Sequence, residues 1–189
     1  MSKIRVVHYI NQFFAGVGGE EQAHIAPELR KELPPISTQL QGKLGEDFEV
    51  VATVVCGDSY FNENLESVQK ELLEMIKGCE PQLFIAGPAF NAGRYGVAAG
   101  TITKAVQDEL HIPAVTAMYE ENPGTDMFKK DVYILETSDN AAGMRKALPK
   151  LAKFAAKLAK GEEILSPKEE GYHQRGLRVN FFSETRGSE

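Results

Sequence analysis

The sequence predicts a three-layer α/β fold, a mainly parallel sheet flanked by helices in the Rossmann-like or flavodoxin-like manner, and three observations carry that expectation. Five short runs, residues 4–10, 50–56, 83–86, 114–118 and 131–137, are near-continuously apolar rather than alternating, as strands covered on both faces are. Apolar residues recur at helical spacing in several of the intervals between them. Polar, glycine-rich turns follow the runs rather than preceding them. Strand then helix, repeated, implies crossover connections and parallel pairing.

The first run, residues 4–10, opens the chain. Residues 15–44 follow without a clear period and contain Pro27, Pro34 and Pro35; an irregular connection of that length is expected to be functional or mobile. The second run, 50–56, leads to a helix over 64–77, where Leu65, Val68, Leu72, Leu73 and Ile76 share a face. After the run 83–86, a helix over 97–110 carries Val97, Ile102, Val106 and Leu110. The runs 114–118 and 131–137 precede a helix over 141–160, with Met144, Leu148, Leu151, Ala155 and Leu158 on one side. Pro149 inside that pattern is expected to kink or split it. Lysines 146, 150, 153, 157 and 160 read as a solvated face. Beyond Gly161 the composition turns charged and glycine-containing, with one short strand expected over 177–182. Residues 1–160 are therefore expected to form an α/β substrate-binding domain, and 161–189 a C-terminal arm or the junction to a missing second half.

Composition narrows the function. A chain of 189 residues with 42% hydrophobic content suits one domain that folds without disulfide or metal. A formal net charge of −6 opposes nonspecific binding to nucleic acid or an anionic membrane. No apolar run approaches the roughly 20 residues of a membrane span, and the first residues lack the apolar core of a signal peptide. Two cysteines, Cys56 and Cys79, do not make a disulfide framework. A cytoplasmic protein is expected. His8, His24, His111 and His173 have no zinc-like spacing, so no metal is expected.

The unusual residues cluster after the strands. The turns are Asn11-Gln12-Phe13-Phe14-Ala15-Gly16-Val17-Gly18-Gly19-Glu20-Glu21, Cys56-Gly57-Asp58-Ser59-Tyr60-Phe61-Asn62-Glu63-Asn64, Gly87-Pro88-Ala89-Phe90-Asn91-Ala92-Gly93-Arg94-Tyr95-Gly96 and Tyr119-Glu120-Glu121-Asn122-Pro123-Gly124. In a parallel sheet these four turns would share the edge where open α/β sheets bind ligands. In the third turn, Gly87, Gly93 and Gly96 permit close backbone approach. A helix starting near residues 95–97 offers free N–H groups to an anion, with Arg94 as a bidentate clamp. The alternative is Arg94 paired with an acidic neighbour. The glycine spacing fits neither a phosphate loop nor a dinucleotide fingerprint.

Glu120 and Glu121 are candidates to hold an ammonium or act as acid/base, with one of the two facing solvent. Glu20 and Glu21 either bind substrate or merely favour the first turn of a helix. Cys56 is a nucleophile if its pKa is depressed, and otherwise a buried inert thiol. Asn11, Asp58, Tyr60, Asn91, Tyr95, Tyr119 and Asn122 complete the candidate binding set.

These runs resemble a known family. The stretches Val6-Val7-His8-Tyr9-Ile10-Asn11-Gln12-Phe13-Phe14-Ala15-Gly16-Val17-Gly18-Gly19-Glu20-Glu21, Ala86-Gly87-Pro88-Ala89-Phe90-Asn91-Ala92-Gly93-Arg94-Tyr95-Gly96 and Met118-Tyr119-Glu120-Glu121-Asn122-Pro123-Gly124 are similar to the selenoprotein B subunit of glycine, sarcosine and betaine reductases. So are Cys56-Gly57-Asp58 with Tyr60-Phe61, Ala142-Gly143-Met144-Arg145, and Glu170-Gly171-Tyr172 with Arg178-Val179-Asn180. The resemblance implies an oxidoreductase of amino-acid-fermenting anaerobes that binds a small zwitterionic amine. In such enzymes a selenocysteine attacks the α-carbon and the amine leaves. The carboxymethyl group passes to selenoprotein A, and a third component forms acetyl phosphate. The resemblance also implies companion component B subunits, one carrying a pyruvoyl group, and an oligomer. The family's selenocysteine lies in the second half of a chain about twice as long and is not among these residues, so a fragment or a shortened relative is expected. Quaternary betaine would favour aromatic faces such as Phe61, Phe90, Tyr95 or Tyr119. A non-catalytic ligand-binding or subunit-docking domain is the competing expectation.

Overall fold

A computed structural model describes residues 3–175. Six strands form one mixed sheet: β1 (Ile4–Asn11), β2 (Glu28–Arg30), β3 (Phe48–Cys56), β4 (Leu83–Ala86), β5 (Ala114–Met118) and β6 (Tyr133–Glu136), in the order β2-β3-β1-β4-β5-β6. Only the edge strand β2 is antiparallel; every other pairing is parallel. Numbered among themselves, the five parallel strands run 2-1-3-4-5, the flavodoxin-like order, with its topological switch between β1 and β4.

The strands are apolar throughout because both faces are covered. Val7 and Tyr9 of β1 meet one helical layer, made of α2 (Asp58–Glu63), α3 (Leu65–Gly78), α4 (Gly93–Leu110) and α5 (Pro123–Phe128), through Phe61, Val68, Leu72, Ile76, Tyr95 and Ile102. Val6, Val50, Ile85 and Val115 meet the other layer, α1 (Pro35–Leu44) and α6 (Met144–Ala159), through Leu40, Leu148, Leu151 and Phe154. Between β1 and α1, His8 is fully buried. Its Nε2–H donates to the Gly87 carbonyl at 2.8 Å, so Nδ1 accepts from the Ser37 hydroxyl at 2.8 Å. Ser37 in turn accepts from Thr53 at 2.8 Å. Burial holds the imidazole down at about 4, against the pull of the Gly87 carbonyl.

Three expectations change. Residues 15–44 are not irregular throughout: they contain a 3₁₀ turn at Glu20–Gln22, strand β2 and helix α1. Pro34 and Pro35, which obscured the pattern, supply the N-cap and the first helical position of α1 respectively, where the missing N–H costs nothing. Helix α6 runs unbroken through Pro149. The lysine face of α6 is partly engaged: Lys150 donates to the Glu136 carbonyl, Lys157 pairs with Glu170, and Lys160 pairs with Asp47. Beyond α7 (Pro167–Glu170), Tyr172 bridges to Leu135 on the β6 edge and its ring packs on Tyr133 and Phe154. The strand expected over 177–182 lies outside the described residues. Among the described residues no helix is long and apolar enough to cross a membrane.

Candidate functional site

At the C-terminal edge of the sheet, over the switch between β1 and β4, lies a cavity of about 440 Å³, within the usual range for small-molecule sites. The turn after β1 supplies Asn11, Gln12, Phe13, Phe14, Gly19 and Glu20; the start of α2 after β3 supplies Asp58. The turn after β4 supplies Ala89, Phe90, Asn91, Ala92 and Tyr95, and the segment after β6 adds Asp139, Asn140 and Ala141. Of the larger grooves, one between α1 and α6 and one among α3, α4 and α5 are lined by helix residues alone.

Local chemistry builds these walls. The long first turn is laced onto α2: Gly57 N–H donates to Ile25, and the Ser59 and Tyr60 amides both donate to the Ala23 carbonyl. A Cβ at Gly57 would run into Ala23 and Ile25 backbone, so only glycine admits this approach. The third turn is held from β5's side. Asn122, 1% exposed, donates to the Phe90 and Ala92 carbonyls and accepts from Gly124 N–H.

Asp58 is the carboxyl of the cavity whose titration burial displaces. It is 6% exposed. Its Oδ2 accepts from Asn11 Nδ2 at 2.9 Å, and its own amide donates to Gln12 Oε1 at 3.1 Å. Burial pushes the carboxyl up to about 6, opposed by the Asn11 and Gln12 hydrogen bonds and by Arg94, and assisted by Glu20. Its Oδ1 has no hydrogen-bond partner, and neither do the buried hydroxyls of Tyr9 and Tyr95, both of which feel the Asp58 charge. Three unsatisfied polar groups at one place are unusual in a native interior. Helix α4 begins at Gly93 with no side-chain cap, leaving first-turn N–H groups without intrahelical acceptors, and Ala92 and Tyr95 at this end line the cavity. The cavity is therefore lined both by an acid and by the uncapped end of a helix. Among the described residues no group of three or more His, Cys, Asp or Glu side chains is arranged to hold a metal.

A search against known families returns one described as glycine/sarcosine/betaine reductase selenoprotein B, matched over residues 3–189. The chain belongs to this selenoprotein B family. It is 72% identical over 188 residues to the glycine reductase complex component B subunit gamma of Peptoclostridium litorale, covering all of this chain and 43% of the relative. The sarcosine reductase complex component B subunit beta of Peptoclostridium acidaminophilum is 59% identical over 189 residues, with the same coverages. The betaine reductase complex component B subunit beta of that organism is 40% identical over 180 residues, covering 95% of this chain and 41% of the relative. The chain thus spans less than half the length of these curated relatives. No solved structure matches it.

In this selenoprotein B chain the cavity gathers Asn11, Glu20, Asp58, Asn91 and Tyr95 from the expected set. The other expected residues lie elsewhere, each for a physical reason. Cys56 is fully buried in the core, and burial, with Asp58 and Glu71, pushes its thiol up to about 12; the inert-thiol alternative is the one the geometry supports. Arg94 is not a clamp in the cavity: it bonds Ser59 at 3.2 Å and Glu20 at 3.4 Å on the outer rim. Glu21 accepts from Gly19 N–H and stiffens its own loop. Glu120 and Glu121 both face solvent, where one had been expected to turn inward. Tyr60, Tyr119 and Asn122 do not line the cavity; Asn122 clips the third turn through the Phe90 and Ala92 carbonyls. Sequence reasoning missed Gln12, Phe13, Phe14, Asp139 and Asn140 as wall residues. The last two sit in a Thr137-Ser138-Asp139-Asn140 turn after a strand, the same signal that marked the other turns.

Proposed function

We propose that this cavity binds the small zwitterionic amine of a reductase of the selenoprotein B family, glycine, sarcosine or betaine. On this reading the whole protein works in the cytoplasm beside companion component B subunits. It takes part in reductive cleavage of the substrate's C–N bond and in transfer of a carboxymethyl group to selenoprotein A. The chain supplies binding and orientation. The selenocysteine nucleophile would come from sequence outside these residues, and the pyruvoyl group from a companion subunit. The observation that carries the proposal is the meeting of two features on one cavity: the Asp58 carboxyl and the uncapped N-terminal end of α4. A zwitterion presents the complementary ends, ammonium to the acid and carboxylate to the helix N-terminus. The names of the relatives, which are components of glycine, sarcosine and betaine reductase complexes, support the substrate class.

A second reading, a non-catalytic ligand-binding or subunit-docking domain, draws on Phe13, which stands 59% exposed at the cavity mouth. Calorimetry on the purified complex containing this chain separates the two. Glycine is expected to bind and glycinamide, its carboxylate masked, to bind at least about tenfold more weakly. Equal binding of both, or of neither, would remove the zwitterion site and leave the docking reading.

A further inference from the structure

We infer that the remainder of the full-length polypeptide packs across Phe13 and into the groove between α1 and α6, so that the cavity becomes a cleft between two domains of one chain. The contact does not depend on which ligand the cavity takes. Three depressions form one continuous track. The cavity of about 440 Å³ shares Phe13 and Phe14 with a pocket of about 310 Å³. That pocket shares Gln39 and Met144 with the groove of about 750 Å³ between α1 and α6. Phe13 borders the first two and is 59% exposed. Its position is fixed: its carbonyl accepts from Gly16 N–H at 3.1 Å, the next amide, of Phe14, donates to Asn11 at 3.1 Å, and the two rings meet edge-on at 5.2 Å. An apolar patch that continues along such a track marks an interaction site, as a lone exposed residue does not.

Size, reach and charge name the occupant. This chain covers 43% of the length of its glycine and sarcosine reductase relatives, so a polypeptide of their length carries a larger body outside these residues than within them. A body on the same chain meets this face at the high effective concentration of an intramolecular contact, and ligand cavities sit preferentially at domain interfaces. The described residues end at Arg175, whose guanidinium lies 4.3 Å from the centre of the Tyr133 ring. Residues 176–189 span at most about 45–50 Å, and a domain of this size is about 40 Å across, so a continuation beyond them reaches the α1–α6 face. Lys43 and Arg145 line the groove and no carboxylate does; neither α1 nor α6 contains Asp or Glu. Both cations are exposed, and among the described residues neither forms an ion pair. The covering segment is therefore apolar opposite Phe13 and Met144 and acidic opposite Lys43 and Arg145. A net charge of −6 opposes the other reader of such cations, an anionic membrane.

The test is photo-cross-linking in the purified complex that contains the full-length polypeptide. Benzoylphenylalanine replaces Phe13 or Gln39, both exposed, and in a third variant Met127, 55% exposed on α5 in the other helical layer. Mass spectrometry is expected to find positions 13 and 39 joined, within a single polypeptide, to sequence outside residues 1–189. Cross-links from these positions only to a companion subunit or a second copy, no cross-link at either, or capture of the remainder at position 127 instead would overturn the inference. A companion-subunit cross-link would favour the docking reading. A second measurement needs no variant: acetylation of surface amines in the unsubstituted complex is expected to be lost at Lys43 and retained at Lys77, exposed on α3. Lys43 acetylated as fully as Lys77 would also overturn it. Neither readout involves an amine ligand, so failure of the amine site and failure of this contact are read separately.

Discussion

Asn11 donates to Asp58 Oδ2 at 2.9 Å across 47 residues of chain, tying the turn after β1 to the start of α2. The same Asn11 accepts from Phe14 N–H at 3.1 Å, so one amide side chain sets both the acid and the loop that faces it. Asn11→Ala removes the donor and leaves a buried carboxylate with neither oxygen paired. Stability is expected to fall by about 2–3 kcal/mol at neutral pH, the range for hydrogen bonds to charged groups. Asp58 should titrate above its present value of about 6, because the bond from Asn11 favours the ionised form. Urea denaturation and a carboxyl titration by NMR check the two halves separately.

Asp58 and His8 act on acid stability in opposite directions. Asp58 rises from an ordinary 3.8 to about 6, while His8 falls from 6.5 to about 4; each displacement is worth roughly 3 kcal/mol of linked free energy. For Asp58 the unfolded chain gives up its proton first, so stability is greatest below about pH 4 and is lost as pH rises through about 6. For buried neutral His8 the unfolded chain binds the proton first, so stability is full above about pH 6.5 and is lost as pH falls toward 4. Between pH 4 and 6 the two slopes offset. Asp58→Asn should therefore expose the His8 loss: relative to the parent, the variant gains about 3 kcal/mol as pH rises from 4 to 6. A difference between parent and variant that does not move with pH would contradict this assignment. Ligand affinity for amines should weaken as pH drops below about 6, where Asp58 takes up its proton.

The sheet was legible because burial on both faces leaves a direct trace in composition: Val6, Val7, Tyr9 and Ile10 are all apolar and all fully buried. The clustering of turns at one edge followed from parallel pairing, and it located Asn11, Asp58, Asn91 and Tyr95. Which side chains point into the cavity was not legible. Arg94 and Glu20 are adjacent only through a contact 74 residues apart, and nothing local announces that Arg94 is spent on the rim. Asn122 reads as a polar turn residue like Asn91, yet one is clamped to Phe90 and Ala92 and the other lines the wall. Cys56 follows four β-rich residues and precedes a glycine, which suits a nucleophile as well as a core thiol; only the packing of α2 and α3 over β3 decides between them.

Gly96 makes that clamp possible. A Cβ there would overlap the Asn122 carboxamide, the group that holds the Phe90 and Ala92 carbonyls. Gly96→Ala would improve helix propensity by up to about 1 kcal/mol in an open helix, but here overpacking is expected to win and destabilise by about 1–3 kcal/mol. Because the displaced Asn122 fixes the turn bearing Phe90, Asn91 and Ala92, amine affinity should fall as well. An exposed glycine such as Gly42, whose Cβ would meet nothing within 4 Å, is the control: Gly42→Ala in α1 should be stabilising or neutral. Paired thermal melts and calorimetry on the two variants distinguish a clamp effect from a general loss of fold.

Cys56 provides a chemical readout of the same architecture. Alkylating reagents attack the thiolate, and this thiol is pushed up to about 12 by burial first and by the nearby carboxylates Asp58 and Glu71 second. It is also 0% exposed, within the core cluster that contains Ala52, Val54 and Phe61. Native protein at pH 8 is therefore expected to leave Cys56 unmodified by iodoacetamide over hours, with labelling appearing only in denaturant at the pace of unfolding. Cys79, 7% exposed with a thiol also raised by burial, should lag far behind a free thiol but precede Cys56, because Lys31 and Arg5 pull its pKa back down. Rapid labelling of Cys56 in the folded state, read by peptide mass spectrometry, would return it to the list of candidate nucleophiles.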